Sequence, residues 1–243
     1  YGDFCLKRIY RSFAYILKED IFMARTQKST ALYPHPFSKA YWQDATAELK
    51  DTKMLVITAL MIALRIALKP FAIYIGPQMA IQTATLATAL GAMIFGPVIA
   101  IPAALISDTI GFMIFPTGDY FLPFVLIEMS SSFLFGLFFW RRVITVPRAL
   151  FAKFTVNMVC NIILTSIFQK WSYYVFYGLE KAEAYALVNG VRIVKNLVMF
   201  PLEAVLLTVV MGAAMPALYS LRLFPYKPEL KLRARHYILA AVL

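Results

Sequence analysis

The segment 191–201 (VRIVKNLVMFP) places three polar side chains, Arg192, Lys195 and Asn196, in a stretch otherwise apolar enough to lie in lipid. Offsets of three and four residues put all three on one face of a helix. A cation near the bilayer centre costs at least ~2.5 kcal/mol, so such residues usually face a protein interior or a watery cavity. We therefore predict that this face contributes to a ligand site.

Other polar residues lie inside apolar segments at comparable predicted depth. With a rise of about 1.5 Å per residue from a helix start near residue 184, Arg192 and Lys195 lie roughly 12 and 17 Å inward. Asp108 either pairs with one of these cations or contacts ligand. The pair Asn157 and Asn161, four residues apart on one face, either bonds between helices or binds ligand. Of two further carboxylates, Glu128 lies in the outer half of its span, whereas Glu203 lies in the inner half of the last span, where a bond to a neighbouring helix or a partner contact is the simpler role.

The composition is that of an integral membrane protein. Hydrophobic residues make up 61% of the 243 residues and the mean hydropathy is +0.70, whereas soluble domains are roughly 45–50% apolar. Apolar runs of about 20 residues cross a bilayer. We predict an all-α, polytopic bundle of six transmembrane helices, at about 54–68, 80–95, 98–115, 120–140, 148–171 and 184–219.

The formal charge of +11 is concentrated in loops and ends. Cations collect before the first predicted span, after the last, and around one central loop (Arg141, Arg142, Arg148 and Lys153). The positive-inside rule then places both termini and that loop in the cytoplasm. No basic stripe interleaves with aromatic residues on a soluble face, so nucleic acid is not an expected partner.

Four regions follow from this pattern. Residues 1–36 form a basic N-terminal extension, 37–53 an interfacial helix with Tyr41 and Trp42 at the membrane surface, 54–221 the six-helix membrane domain, and 222–243 a basic cytoplasmic tail. Gly96-Pro97 and residues 116–119 are predicted turns. The chain begins at Tyr1, and whether Met23 is the natural start, with non-native sequence before it, is left open.

Catalytic motifs are missing from the sequence. It contains no HExxH, P-loop or GxSxG pattern and no CxxC metal motif, which indicates a protein that is not an enzyme and holds no metal or cofactor. Solute movement against a gradient would therefore need an ion gradient or a separate ATPase.

Small residues recur every fourth position in the first span, at Ala59, Ala63 and Ala67. Such a stripe lets another helix approach closely. Internal packing and a partner surface are both open interpretations of this pattern.

Taken in order, several segments resemble the substrate-binding S component of an energy-coupling factor (ECF) vitamin transporter of the folate family. They are FSKAYWQDATAELK (37–50), ALMIALRIALK (59–69), LGAMIFGPVIA (90–100), SDTIGFMIFPTGDYFLPF (107–124) and VRIVKNLVMFPLEAVLL (191–207). The first outward loop lacks an arginine expected in many relatives around Met79. Another anionic or heteroaromatic vitamin therefore stays an alternative to folate.

The resemblance implies a multi-pass protein of the bacterial cell membrane that captures a vitamin outside the cell. It also implies a transmembrane coupling subunit, contacted by Ala59, Ala63 and Ala67, and two ATPase subunits that hydrolyse ATP in place of this chain. Folate carboxylates need cations, and its pterin needs hydrogen-bonding and stacking groups. The predicted substrate-binding residues are Arg192, Lys195, Asn196, Lys69, Asn161, Asn157, Asp108, Tyr120, Phe121 and Trp171. The alternative is an autonomous transporter with Asp108 or Glu128 as proton carrier.

Overall fold

The computed structural model describes residues 32–76, 79–116, 120–185, 190–221 and 223. Most of the predicted N-terminal extension (1–31), nearly all of the C-terminal tail and the tip of the turn at 117–119 lie outside the described residues. Consequently the predicted cytoplasmic position of the two termini stays a prediction.

Polar caps begin the first two helices. The Ser38 hydroxyl accepts a hydrogen bond from the Tyr41 backbone N–H at 3.3 Å, and helix α1 runs Lys39–Ala47. A single 3₁₀ turn, Glu48–Lys50, follows. The Asp51 carboxylate then accepts from the Lys53 N–H at 2.9 Å and starts α2, Thr52–Leu68. These side chains satisfy backbone donors that the first helical turn leaves unpaired.

A short β-hairpin follows α2 where a loop and the start of a helix were predicted. Strands β1 (Ile73–Gly76) and β2 (Met79–Ile81) are antiparallel, with Ile73 opposite Ile81. Aromatic and β-branched residues in β1 favour extended backbone. The Thr83 hydroxyl donates to the carbonyls of Leu68 and Phe71 at 2.9 and 2.7 Å, which ties the hairpin to the end of α2. The predicted span at 80–95 therefore begins later, at Ala84.

Helix α3, Ala84–Ile114, is interrupted at the predicted turn. Gly96 has φ 84° and ψ 175°, a conformation open essentially to glycine alone. The end of α2 contacts both ends of α3, since Leu68 bonds to Thr83 and Lys69 lies 3.3 Å from Asp108. The two halves, 84–95 and 97–114, are therefore an antiparallel pair of helices joined at Gly96.

Substituting Gly96 by alanine should destabilise this turn. The backbone conformation costs a non-glycine residue on the order of 1–3 kcal/mol, and the added Cβ would lie 2.9 Å from the Trp140 indole. We expect a lower unfolding temperature in detergent for Gly96→Ala. Gly190→Ala is the matched control, because a Cβ there meets nothing within 4 Å. Equal unfolding temperatures for the two variants would contradict the conclusion that the turn at Gly96 requires glycine.

The second half of the chain is helical almost throughout its described residues. Its elements are α4 (Phe124–Phe139), α5 (Val146–Val156), a π-helical segment (Asn157–Leu164), α6 (Thr165–Tyr177), α7 (Leu179–Ala184) and α8 (Gly190–Ser220). In the π-helical segment, the Thr165 N–H bonds to the Cys160 carbonyl five residues earlier. The predicted loop at 172–177 is wrong, because α6 continues until Gly178 ends it with φ 86°.

Three helical stretches are long and apolar enough to cross a membrane: Ala84–Ile114, Val146–Tyr177 and Gly190–Ser220. A shorter apolar helix, Phe124–Phe139, accompanies them. The molecule is thus a multi-helix membrane protein, and the count of six spans stays a prediction.

Close helix packing forms the core at the end of the bundle that contains Gly96. A Cβ on Gly136 would lie 2.6 Å from the Pro97 Cα, so α4 contacts α3 nearly backbone to backbone. Tyr41 is fully buried, with its ring 5.0 Å from that of Trp140. Tyr41 therefore packs inside the protein, whereas Trp42 is exposed, and the interfacial position of this helix stays a prediction. Burial raises the pKa of the Tyr41 phenol.

Ion pairs attach α1 to the loop after α4. The Arg141 guanidinium lies 2.5 Å from the Asp44 carboxylate and 3.0 Å from that of Glu48. Arg141 has a positive φ of 48°, which is uncommon for a residue with a side chain. The predicted interfacial segment is thus part of the compact domain.

Candidate functional site

A cavity of about 510 Å³ opens at the end of the bundle opposite Gly96 and Trp140. This volume lies within the range of about 300–1,000 Å³ found for small-molecule sites. Residues from α2, β2, both halves of α3, α4, α5, the π-helical segment, α6 and α8 line it. They are Arg65, Lys69, Ala80, Gln82, Ala84, Thr85, Ser107, Asp108, Ile127, Glu128, Ser131, Lys153, Val156, Asn161, Thr165, Val191, Arg192, Lys195, Asn196, Met199 and Glu203.

The polar face predicted on the last helix does line this cavity. Arg192, Lys195 and Asn196 share it with Met199 and Glu203 further along α8. Since α8 begins at Gly190 rather than near residue 184, Arg192 and Lys195 lie about 3 and 8 Å from the described helix start. The helix start near residue 184 that the predicted depths of 12 and 17 Å assumed is therefore wrong, and both cations lie near the first described residue of α8.

Three ion pairs cross between helices in the cavity wall. Arg65 of α2 pairs with Glu128 of α4, and Lys69, which directly follows α2, lies 3.3 Å from Asp108 of α3. Lys153 of α5 lies 3.0 Å from Glu203 of α8. The alternative that Asp108 pairs with Arg192 or Lys195 is therefore wrong. The expectation that Glu203 bonds to a neighbouring helix is confirmed.

Two cations in the cavity lack a carboxylate partner among the described residues. Arg65, Lys69 and Lys153 are matched by the three lining carboxylates, whereas neither Arg192 nor Lys195 forms an ion pair with any described residue. The Arg192 guanidinium lies 3.4 Å from the Ser166 hydroxyl and over the Tyr185 ring at 5.9 Å. Among the described residues, the lining therefore carries two uncompensated positive charges.

A chain of amide contacts joins the cavity wall to the Lys153–Glu203 pair. Asn161 Nδ2 donates to Asn157 Oδ1 at 3.0 Å, and Asn157 Nδ2 donates to Glu203 Oε2 at 3.4 Å. Asn161 lines the cavity, whereas Asn157 is fully buried behind it. Asn157 therefore serves the bond between helices, and Asn161 is placed to contact a ligand.

Three predicted aromatic contacts lie outside the cavity lining. Phe121 is buried against Trp171, with ring centroids 5.5 Å apart, and Trp171 is half exposed. The Tyr120 hydroxyl lies 3.3 Å from that of Thr109. Phe121 and Trp171 thus pack against each other, whereas the Tyr120 ring packs against Phe112 with centroids 4.7 Å apart.

Lys153 and Arg65 line the cavity but were missing from the predicted site. Lys153 was counted with a cytoplasmic loop, yet it is 4% exposed and pairs with Glu203. The sequence did indicate that Lys153 shares a face with the predicted site residues. Polar residues recur every fourth position along one helix face, at Lys153, Asn157, Asn161 and Thr165. Arg65 similarly precedes Lys69 by four residues.

The alanine stripe of α2 faces away from this site. Ala59, Ala63 and Ala67 are all exposed, whereas Arg65 and Lys69 line the cavity. Residues two apart on a helix differ by about 200° in direction. Helix α2 thus presents a shallow apolar face on one side and cavity charges on the other.

Within the part of the chain that the structure describes, no cluster of three or more His, Cys, Asp or Glu residues could hold a metal ion.

Comparisons with known proteins agree with this architecture. The folate transporter FolT of Clostridium novyi (strain NT) is 28% identical over 159 residues, which are 65% of this chain and 88% of the relative. The crystal structure of FolT bound with folic acid shares 26% identity at a TM-score of 0.52 and covers 63% of this chain and 88% of that one. The sequence model of the ECF-type riboflavin transporter S component family matches residues 49–215, more than half of the chain. The chain therefore belongs to this family of bacterial multi-pass transporter components, which are not enzymes.

Proposed function

We propose that this S component captures folate or a related pterin and delivers it inward as part of an ATP-driven ECF transporter. The observation that carries the proposal is the pair of uncompensated cations, Arg192 and Lys195, in the cavity lining. The glutamate part of folate has two carboxylates. A dianion would therefore neutralise the described lining through charge-assisted hydrogen bonds.

Riboflavin is the second candidate, because the matching family carries that vitamin in its name. Its flavin ring and ribityl chain are uncharged at neutral pH. A neutral ligand would leave Arg192 and Lys195 unpaired in a partly closed cavity, which is costly. The charge balance of the described lining therefore favours folate.

Binding titrations with three ligands separate these candidates. The purified full chain in detergent should bind folate tightly, pteroate, which lacks the glutamate, more weakly, and riboflavin weakest. Each lost charged hydrogen bond should weaken binding by roughly tenfold or more. Tighter binding of riboflavin than folate would overturn the proposal, as would equal binding of folate and pteroate.

Transport by this mechanism needs a coupling subunit and two ATPase subunits as partners. The exposed face of α2 with Ala59, Ala63 and Ala67 supports a docking helix there, since small residues allow close approach in a membrane. Six spans with both termini in the cytoplasm would suit this arrangement. The proposed cycle carries the loaded cavity toward the cytoplasmic side while the partner subunits hydrolyse ATP.

Substituting Ala63 by tryptophan should block this assembly. The bulky ring would fill the shallow groove but point away from the cavity, so folate binding should persist. Co-purification with the coupling subunit is the measurement. Ala213→Trp, on the exposed surface of α8, is the matched control. Normal co-purification of the Ala63 variant would remove the stripe from the partner surface.

The alternative of an autonomous proton-coupled transporter is less well supported. Its candidate carriers, Asp108 and Glu128, are both engaged in ion pairs with α2. Uptake measurements decide between the two mechanisms. Folate should accumulate only in vesicles that also contain the ATPase module, and uncoupler-sensitive uptake by the chain alone would favour the alternative.

A further inference from the structure

Four side chains form a continuous polar chain along the cavity wall, in which only Asn157 lies behind the lining. The Lys153 ammonium lies 3.0 Å from Glu203 Oε2, and the same oxygen accepts a hydrogen bond from Asn157 Nδ2 at 3.4 Å. Asn157 Oδ1 in turn accepts from Asn161 Nδ2 at 3.0 Å. Each contact joins a hydrogen-bond donor to an acceptor.

The ion pair at one end sets the orientation of both amides. A carboxylate paired with a lysine only accepts hydrogen bonds, so Asn157 must turn its NH₂ group toward Glu203. The Asn157 oxygen then faces Asn161, which must also turn its NH₂ group inward. The Asn161 oxygen is left on the other side of that amide, and Asn161 lines the cavity.

Burial makes the opposite orientation expensive. Asn157 is fully buried and Lys153 is 4% exposed, so little solvent is at hand to replace a lost contact. Rotating Asn157 by a half-turn would set its oxygen against the Glu203 carboxylate and its NH₂ against that of Asn161. A buried polar group without a partner costs free energy comparable to a hydrogen bond, and low dielectric strengthens the repulsion.

The local backbone supports this arrangement. Asn157 and Asn161 both lie in the π-helical segment, and the Thr165 hydroxyl donates to the Cys160 carbonyl at 2.7 Å in the same segment. π-Helical turns are rare and occur frequently at functional sites. Within this segment the two amides bond directly to each other, and Asn157 also bonds to Glu203 of α8.

We infer that Asn161 is a fixed hydrogen-bond acceptor that selects ligands carrying an exocyclic amino group, with Asn157 and the Lys153–Glu203 pair as its positioning residues. This rests on the proposed function, since the amino group on the pterin ring of folate is a pure donor that needs such an acceptor. Flavin rings carry no exocyclic amino group. These four linked side chains therefore select for the ring of the ligand, whereas Arg192 and Lys195 select for its charge.

The test compares folate with an analogue in which hydrogen replaces the 2-amino group. Wild-type protein should prefer folate by roughly tenfold or more, because a site built for a hydrogen bond rejects a ligand that lacks it. In Asn161→Leu the two ligands should bind about equally. In Asn157→Leu the preference should fall markedly, although Asn157 is fully buried and does not line the cavity.

Asn157→Ala provides the same test if the leucine variant does not fold. If Asn157 has a merely structural role, its substitution would weaken the binding of both ligands equally. The ratio of their affinities would then be unchanged, which would overturn the inference. An unchanged ratio in Asn161→Leu would do so as well. Failure of wild-type protein to bind folate would overturn the proposed function and this inference together, whereas folate binding without preference over the analogue overturns only the inference.

Discussion

Replacing Arg192 and Lys195 by alanine should abolish high-affinity folate binding while leaving the protein folded. Both side chains line the cavity and neither pairs with a described carboxylate, so their removal breaks no ion pair. A hydrogen bond to a charged group contributes about 1.5–3 kcal/mol. Each single variant should therefore weaken folate binding by about 10- to 100-fold, and the double variant by more.

Titration calorimetry with folate and pteroate measures this effect. Pteroate lacks the glutamate and keeps a single benzoate carboxylate, so its affinity should fall less than that of folate in the same variants. Lys170→Ala is the matched control, because Lys170 is a cation of α6 that does not line the cavity. Unchanged folate affinity in Arg192→Ala would remove Arg192 from the site, and an equal loss for folate and pteroate would indicate a general disturbance of the fold.

Substituting Glu203 by glutamine should produce the largest loss of stability. The side chains of Lys153 and Glu203 are 6% and 16% exposed, so the variant leaves a buried ammonium without its carboxylate. Breaking a buried ion pair from one side costs about 3–5 kcal/mol. The expected result is a large drop in unfolding temperature, or poor recovery of folded protein.

The double variant Lys153→Met/Glu203→Gln tests whether unpaired charge is the cause. Replacing both charges removes the buried cation, so most of the lost stability should return. Glu180→Gln, on the exposed surface of α7, is the control for loss of a carboxylate. If the double variant is as unstable as Glu203→Gln, the loss comes from packing rather than from charge.

The spacing of polar residues along single helices predicted part of the cavity lining. The polar face of α8 could be predicted because spacing along one helix places Arg192, Lys195 and Asn196 on one side whatever the neighbours are. The turn at Gly96-Pro97 could also be predicted, because glycine and proline favour turns through their local backbone preferences. The predicted start of the second span near residue 80 was wrong because residues 79–81 pair in a β-hairpin, and the predicted loop at 172–177 was wrong because helix α6 continues through it.

The identity of the ion pairs was beyond the reach of such patterns. Arg65 and Glu128 are 63 residues apart, and Lys69 and Asp108 are 39 apart. Nothing in the spacing along a single helix says which carboxylate meets which cation. Lys153 illustrates the same limit, because counting loop charges placed it with the cytoplasmic cations, whereas packing against α8 buries it.

By itself the sequence determined that this is a helical membrane protein with a cationic face on its last long helix. Periodicity and hydropathy are local properties, and they are sufficient for both conclusions. Only the tertiary structure decided which charges remain for a ligand. Three carboxylates are taken by Arg65, Lys69 and Lys153 across helix contacts, and Arg192 and Lys195 remain because no described carboxylate reaches them.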